Sequence, residues 1–501
     1  MAGNPDVLLV AEGTYPYIRG GVSTWIHQLI TSLSEFSFGI LFLGSRREDY
    51  SGIQYEIPKN VLFIKEFYLF DEFNEQDKSE PKALKKNENL LKKLRYLHQQ
   101  LKRNSTDLPE YFHKKDFFLR EIKKEEFLHG KTSWEFICES YMNFAEDLPF
   151  VDYFWTVRNI HSPLWKIASI VEEAGNFGLV HSPSTGYAGF LASLIKNSYN
   201  SPFILTEHGI YIKERKIDIL NSDWIQDRRF FYQKEYGEID HLREMWINFF
   251  IDLGKITYKA ASTIISLFED ARKVQISLGA PIEKTKVIPN GVKIEVYEKA
   301  RKNQDRLPVI ALIGRVVPIK DIKTFIKAMR IVVDRNSSVE GWIIGPTDED
   351  PDYFEECKKL IEVLNLENNI KFLGFQRTSD ILGKFKLTTL TSISEGMPLV
   401  ILESFAAGIP CVATDVGSCR QLIYGGLNEE DRKLGRAGRI ATVANPGDVA
   451  KGYLELLENE DEWQKCSRVA FERVSRFYRF EMFINSYRKL YKDFLNGRHI
   501  F

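Results

Sequence analysis

Short apolar runs alternate with amphipathic helical stretches along most of this chain, and no other feature limits its fold as strongly. Near the start, Val7–Ala11 is an apolar run of strand length, followed by EGTYPYIRGGVSTWIHQLITSL. In that segment Val22, Trp25, Ile26, Leu29, Ile30 and Leu33 recur at helical spacing. Strand, glycine turn and helix make the entry unit of a doubly wound α/β domain. Phe38–Leu43, Val61–Phe67, Leu179–Ser182, Phe203–Glu207 and Thr263–Leu267 read as its further strands. A polar run, KARKNQDRLP at Lys299–Pro308, is the expected domain boundary. The rhythm then restarts with Val309–Ile313, Trp342–Ile344, Ile370–Leu373, Leu387–Leu390, Pro410–Ala413 and Ile440–Val443. Helical stretches alternate with these runs, among them Ile322–Val333 with Phe325, Ile326 and Met329 turned inward. The fold class expected is α/β: two doubly wound domains, at residues 1–300 and 301–477. A length of 501 residues, 44% hydrophobic, is enough to fill both cores.

One segment interrupts the pattern. Glu72–Lys131 is rich in Lys and Glu, with helical periodicity through Leu90, Leu91, Leu94, Leu97 and Leu101. This reads as a helical insertion, about residues 72–165 in full, ending in the aromatic segment at Leu148–Ile167. Its charges form a solvated face, or a docking surface for a partner or an anionic membrane. Its aromatics read first as core.

The chemistry concentrates in Thr391–Pro410, TSISEGMPLVILESFAAGIP. Pro398 suits a first helical turn, and Leu399, Leu402, Phe405 and Ala406 follow at helical spacing. That arrangement puts Glu395 in a strand-to-helix loop and Glu403 on the helix. The N–H groups of Met397, Leu399 and Val400 then face outward at a helix start, where unsatisfied donors and the dipole attract anions. Two readings stay open. Either Glu395 caps a helix and Glu403 is a surface charge, or both carboxylates hold sugar hydroxyls flanking a diphosphate.

A cation pair favours the second. After Val309–Ile313 comes GRVVPIKD, which sets Gly314, Arg315 and Lys320 at a strand end, where open parallel sheets bind ligands. Arg grips phosphate through a planar fork and Lys adds a point charge. Together they would neutralise a departing diphosphate. Gly20 and Gly21 read equally as a tight turn or as backbone that a ligand approaches closely. His208, directly after a strand in TEHGIY, reads as structural or as a site residue. Ser266 and Glu269 suggest a capping box, and Pro289-Asn290-Gly291 a turn. Asp348-Glu349-Asp350 has metal-binding spacing, but Pro351 follows it, so Asp350 is expected to cap a helix.

Composition closes off other classes. Lys+Arg 68 against Asp+Glu 69 argues against a nucleic-acid binder. Five scattered cysteines without CxxC spacing point to a reducing compartment and no structural zinc. The start MAGNPDVLLVAEG lacks the pattern of a secretory signal, and no run approaches membrane-spanning length. A soluble cytoplasmic protein is expected. GxGxxG, HExxH, GxxxxGK[ST] and GxSxG motifs are absent, so nicotinamide, flavin and metalloprotease chemistry are not indicated.

GGVS near the start, GR followed by Lys320, and EGMPLVILE together resemble glycosyltransferase family 4. EGTYPYIRGGVSTWIHQLI, TEHGIY, GPTDEDP and LTSISEGMPLVILE are similar, more closely, to its Pel-exopolysaccharide branch. The resemblance implies GT-B architecture, two Rossmann-like domains facing a cleft, and retention of anomeric configuration. It implies that Arg315 and Lys320 bind the diphosphate, that Glu395 faces the donor sugar, and that Glu403 holds the ribose. Gly314 and Gly396, Met397, Pro398, Leu399 and Val400 would line the donor site, with Phe375 and Arg377 beside the base. Gly20 and Gly21 would lie near the phosphates and acceptor, and His208 near the reacting sugar. A C-terminal helix at 478–501 would cross back onto the first domain. The implied reaction is hexose transfer from a UDP-sugar, expected to be UDP-glucose, to a growing exopolysaccharide. No cofactor or metal is expected, and the implied setting is the cytoplasm beside an inner-membrane polysaccharide export complex. Two rivals stay open: another GT-B enzyme, such as a glucan synthase or lipid-linked-sugar transferase, and a non-catalytic UDP-sugar-binding subunit of such a complex.

Overall fold

The computed structural model describes residues 4–71, 88–89, 92–93, 114–222, 224–225, 239–303 and 305–497. The chain divides into two units. The first comprises Met1–Ile265, Lys273–Lys286 and Arg488–Phe501, the second Ser266–Arg272 and Val287–Tyr487.

The first unit is built on a seven-stranded sheet of β1 (Val7–Glu12), β2 (Phe38–Gly44), β3 (Val61–Tyr68), β4 (Leu179–Ser182), β5 (Phe203–Glu207), β6 (Thr263–Ser266) and β7 (Thr285–Val287). Its order is β3-β2-β1-β4-β5-β6-β7. β1 pairs in parallel with both β2 and β4. The winding therefore reverses between β1 and β4. Residues of β2, β4 and β5 are buried throughout, as parallel strands covered on both faces must be.

The second unit carries a six-stranded sheet: β8 (Leu307–Ile313), β9 (Glu340–Ile344), β10 (Ile370–Phe372), β11 (Phe385–Leu390), β12 (Cys411–Thr414) and β13 (Gly438–Ala441). Its order is β10-β9-β8-β11-β12-β13, and its paired strands are parallel. Here the winding reverses between β8 and β11. The helix Ile322–Arg335 starts where the Asp321 carboxylate accepts from the Thr324 N–H at 3.2 Å. It buries Ile322, Phe325, Ile326, Met329 and Val332 in the core of this unit. Each such side chain contributes about 1.5–3 kcal/mol. Asp350 caps the helix Pro351–Val363 as expected, accepting from the Tyr353 N–H at 3.0 Å.

Several expectations need correction. Ser266 is the last residue of β6 and its hydroxyl donates to the Phe268 carbonyl at 3.3 Å; the helix starts only at Glu269, so Ser266 does not stand at its N-cap. In the helix Glu269–Ser277 the Glu269 N–H donates to Gln421 Oε1 at 3.2 Å. Pro289-Asn290-Gly291 is not a turn and leads into a parallel bridge between Val292 and Arg479. A Cβ on Gly291 would fall 2.6 Å from the Arg479 carbonyl oxygen, so close backbone approach explains that glycine. The polar run at Lys299–Pro308 lies inside the second unit, where Glu298–Lys302 is helical and Leu307 opens β8.

The leucine periodicity from Leu90 to Leu101 lies outside the described residues. Downstream, Phe150–Ala174 is one helix containing Pro163, and Tyr153, Val157, Ile160 and Leu164 are core. The last helix is Phe480–Leu495, and from Arg488 the chain belongs to the first unit. There Arg488 pairs with Glu35 and the Tyr491 hydroxyl meets His181 Nδ1 at 2.7 Å. Among the described residues, no helix is long and apolar enough to cross a membrane.

Candidate active site

Ligands of open α/β sheets sit outside the carboxyl ends of the strands where the winding reverses. In the second unit that place is fixed by the segments leaving β8 and β11. Gly314 follows β8, its N–H bonded to the Ile344 carbonyl at 2.9 Å. A Cβ on Gly345 would fall 2.0 Å from the Gly314 carbonyl oxygen. Lys320 ends a short 3-10 turn, Pro318–Lys320. Two sets of hydrogen bonds tie that turn to the loop after β11. The Thr391 hydroxyl donates to the Lys320 and Asp321 carbonyls, both at 3.0 Å, and the Ile393 N–H donates to the Ile319 carbonyl at 2.9 Å.

This lacing brings two of the expected residues into contact. Lys320 Nζ lies 2.5 Å from Glu395 Oε1, and the Ser392 hydroxyl donates to the same oxygen at 2.6 Å. Their side chains are 23% and 13% exposed, enough for a ligand to reach both. Glu395 therefore does not cap a helix. The helix Leu399–Ala406 has no side-chain cap, and Pro398 precedes its first residue. Its first-turn N–H groups, at Leu399 and Val400, have no intrahelical acceptors. Met397 is buried, its sulfur accepting from the Asn290 N–H at 3.3 Å.

Gly396 and Glu395 rest on Gly417, a position no sequence signal marked. Gly417 has φ +52°, and a Cβ there would fall 2.3 Å from the carbonyl oxygens of both residues. The Ser418 N–H holds the Gly396 carbonyl at 2.9 Å.

Arg315 is paired with Glu349, and both side chains are about half exposed. Exposed pairs of this kind are worth roughly 0–1 kcal/mol, so Arg315 can exchange its partner for a better anion. The acidic cluster thus divides its labour between Glu349, which faces Arg315, and Asp350, which caps a helix. Among the described residues no group of three His, Cys, Asp or Glu side chains is placed to hold a metal ion.

Glu403 is on the helix, as the spacing required, but it is not a surface charge. Burial pushes its carboxyl above the usual range, and hydrogen bonds from the Tyr297 and Thr378 hydroxyls pull it partly back. Those two hydroxyls are 3.0 Å apart. A carboxylate already facing two hydroxyls is chemically suited to the vicinal pair of a ribose. Thr378 directly follows Arg377 and lies three residues beyond the largely exposed Phe375, so the expected base-flanking residues share the segment that reaches Glu403 through Thr378.

The first unit gathers a second group. Gly21 opens the helix Gly21–Ser32, and Gly20 precedes it with φ 176°, an extended backbone open to any residue. A Cβ on either would meet nothing within 4 Å. The tight-turn reading therefore fails, and both glycines border open space. Trp25 on this helix packs edge-on against the His208 ring, with centroids 4.5 Å apart. His208 Nε2 is buried without a partner among the described residues. Burial pulls this imidazole down to about 3, so it is neutral at physiological pH. Glu207, just before it, accepts from Tyr258 Oη at 2.7 Å and Gln275 Nε2 at 2.9 Å, and burial raises its carboxyl to about 7.

Comparison with known proteins adds the following. A family model described as glycosyl transferases group 1 matches residues 293–473. A second, described as a domain of unknown function (DUF3492), matches residues 5–283, more than half of the chain. An uncharacterized glycosyltransferase of Methanocaldococcus jannaschii is 25% identical over 332 residues, 66% of this chain and 79% of that protein. The N-acetyl-alpha-D-glucosaminyl L-malate synthase of Bacillus anthracis is 30% identical over 138 residues, 27% of this chain and 34% of its own length. In fold the chain is similar to Anabaena HepE, solved in complex with UDP and glucose. The TM-score is 0.57 at 14% identity, covering 97% of this chain and 99% of that one.

Proposed function

The chain belongs to the DUF3492 family and carries a group 1 glycosyltransferase domain in a GT-B fold, and from that footing we propose a retaining hexosyltransferase that uses a UDP-sugar. We take UDP-glucose as the donor and a growing exopolysaccharide of Pel type as the product chain. The observation that carries this reading is the Lys320–Glu395 pair, laced into place where the second sheet reverses its winding. The UDP held by HepE supports the choice of nucleotide.

In this reading the second unit binds the donor. Arg315, Lys320 and the first-turn N–H groups of the helix Leu399–Ala406 hold the diphosphate. Glu395 takes hydroxyls of the sugar, and Glu403 takes the ribose. As the bond from C1 to the phosphate oxygen breaks, negative charge grows on UDP, and fixed cations and backbone donors stabilise it. The acceptor hydroxyl attacks C1 from the side the diphosphate leaves, its oxygen forms the new glycosidic bond, and its proton passes to a phosphate oxygen. The first unit binds the acceptor, with Gly20, Gly21 and the neutral His208 beside the reacting groups. Turnover requires no metal, so chelation with EDTA leaves the rate unchanged. The enzyme works in the cytoplasm, docked at the inner face of the membrane on a polysaccharide export complex.

The test is a titration of the purified protein against a panel of nucleotide sugars, with product analysis for each. UDP-glucose is expected to bind best and to give an α-linked product. Binding without turnover for every donor would favour a non-catalytic subunit, and binding of none would end the proposal.

A further inference from the structure

A pocket of about 790 Å³ lies within the first unit, at the carboxyl edge of its sheet. It opens where the winding reverses between β1 and β4, the position this fold reserves for ligands. Glu12, the last residue of β1, spans that point. It accepts from the Ala188 N–H at 2.9 Å and from the Tyr211 hydroxyl at 2.7 Å.

The wall beyond Glu12 is aromatic. Tyr187, Tyr211, Trp224, Trp246 and Phe250 form one corner. Trp224 meets Trp246 edge-on at 5.5 Å, Trp246 stacks with Phe250 at 6.1 Å, and Tyr187 meets Phe250 at 5.6 Å. Trp224 is 66% exposed, a large apolar face left to solvent. Within this corner two polar atoms are buried without a partner among the described residues: Tyr187 Oη and Trp246 Nε1. Their residues are only 5% and 6% exposed. Native proteins leave few buried donors unmet, and each asks for an explanation. A ligand that presents oxygen acceptors supplies one.

The charges narrow the ligand further. Among the described residues the pocket wall has two cations, Arg46 and Arg215, against Glu12, Asp49 and Asp218. Arg46 makes only an exposed pair with Glu48 at 3.6 Å, whereas Arg215 is held in a network. Arg215 donates to Tyr211 Oη at 3.0 Å and to Asp218 at 3.4 Å, and its guanidinium covers the Tyr211 ring at 5.1 Å. Among the described residues of the wall, carboxylates outnumber cations, a poor cradle for a diphosphate. Aromatic faces beside unmet donors suit pyranose rings, whose C–H faces are apolar and whose edges are hydroxyls. The volume fits on the order of two to three such rings.

We propose that this pocket binds the acceptor and that the acceptor is the end of an uncharged glycan, not a sugar carried on a polyprenyl diphosphate. This rests on the transferase reading above and adds the substrate class and the residues that select it.

The test uses tryptophan fluorescence of the full chain, titrated with cellotetraose, maltotetraose, chitotetraose and geranyl diphosphate, alongside calorimetry with UDP. At least one tetrasaccharide is expected to shift the emission, and geranyl diphosphate is not. In Tyr187→Phe, which keeps the ring and its packing, saccharide affinity is expected to fall about fivefold or more, with UDP binding unchanged. Trp246→Phe should do the same. UDP binding with no response to any tetrasaccharide overturns the pocket assignment, as does an unchanged saccharide affinity in both variants. So does tighter binding of geranyl diphosphate than of any tetrasaccharide. Loss of UDP binding in the unmodified protein would instead count against the transferase reading.

Discussion

Lys320 Nζ lies 2.5 Å from Glu395 Oε1, across two loops that leave adjacent strands of the second sheet. The pair divides naturally between the two ends of a donor: the cation for phosphate, the carboxylate for sugar hydroxyls. Lys320→Met is therefore expected to weaken UDP binding by roughly tenfold or more, the worth of one charge-assisted hydrogen bond. Glu395→Gln should leave UDP affinity within about threefold yet cut kcat by roughly a hundredfold. Calorimetry with UDP and initial rates with the UDP-sugar separate the two, and equal effects of both changes on UDP would refute the division.

Arg315 must leave Glu349 to serve a diphosphate. Glu349→Ala removes the competitor. UDP should bind as tightly or up to about fivefold tighter, because an exposed ion pair costs at most about 1 kcal/mol to break. Weaker UDP binding in this variant would mean that Glu349 positions Arg315 rather than restrains it.

Gly417 supports the backbone of Glu395 and Gly396 from below. With φ +52° and carbonyl oxygens 2.3 Å from a Cβ, alanine strains the backbone and pushes the loop. Gly417→Ala should cost about 1–3 kcal/mol in urea unfolding and lower kcat/KM for the donor. A variant of full activity and stability would show that the loop tolerates displacement.

Asp252 is buried on the helix His241–Ala260, both carboxyl oxygens without a partner among the described residues. Burial raises its carboxyl to about 7. An acid with a raised folded pKa is protonated in the native state while the unfolded chain has already lost its proton. Its contribution is therefore intact below about 4 and declines as pH rises to about 7, by about 4 kcal/mol at most. Asp252→Asn removes this dependence. Urea midpoints should differ little between variant and parent at pH 4, and the variant should be the more stable at pH 8.5.

The buried pair of Arg473 and Asp431 is wholly inside the second unit, both side chains 0% exposed. Arg473 also donates to the carbonyls of Leu422, Ile423, Asp431 and Gly435. Arg473→Ala leaves the Asp431 carboxylate buried without its cation and takes one donor from each of four carbonyls, and unfolding measurements should register a loss of about 3–5 kcal/mol.

What could be read from the amino-acid order followed from burial. Strands covered on both faces are continuous apolar runs, so most of them were found to within two or three residues. β7 was missed because three residues, Thr285–Val287, carry no such pattern. Glu395 and Glu403 were legible because one strand-loop-helix unit contains both. Their partners were not. Tyr297 and Thr378 reach Glu403 from segments far apart in the chain, and Gly417 meets the Glu395 loop from beyond β12. Ser266 had the right spacing for a cap but ends a strand, and its hydroxyl turns to a carbonyl instead. Local spacing reports periodicity and does not report which distant backbone a side chain will meet.

We propose that Arg315, Lys320, Glu395 and Glu403 together serve one nucleotide sugar. The direct measurement is transfer of labelled glucose from UDP-glucose by the parent protein and by each of the four single alanine variants. Turnover by the parent and a loss of roughly a hundredfold or more in at least Lys320→Ala and Glu395→Ala are expected. Turnover that survives all four changes would contradict the proposal.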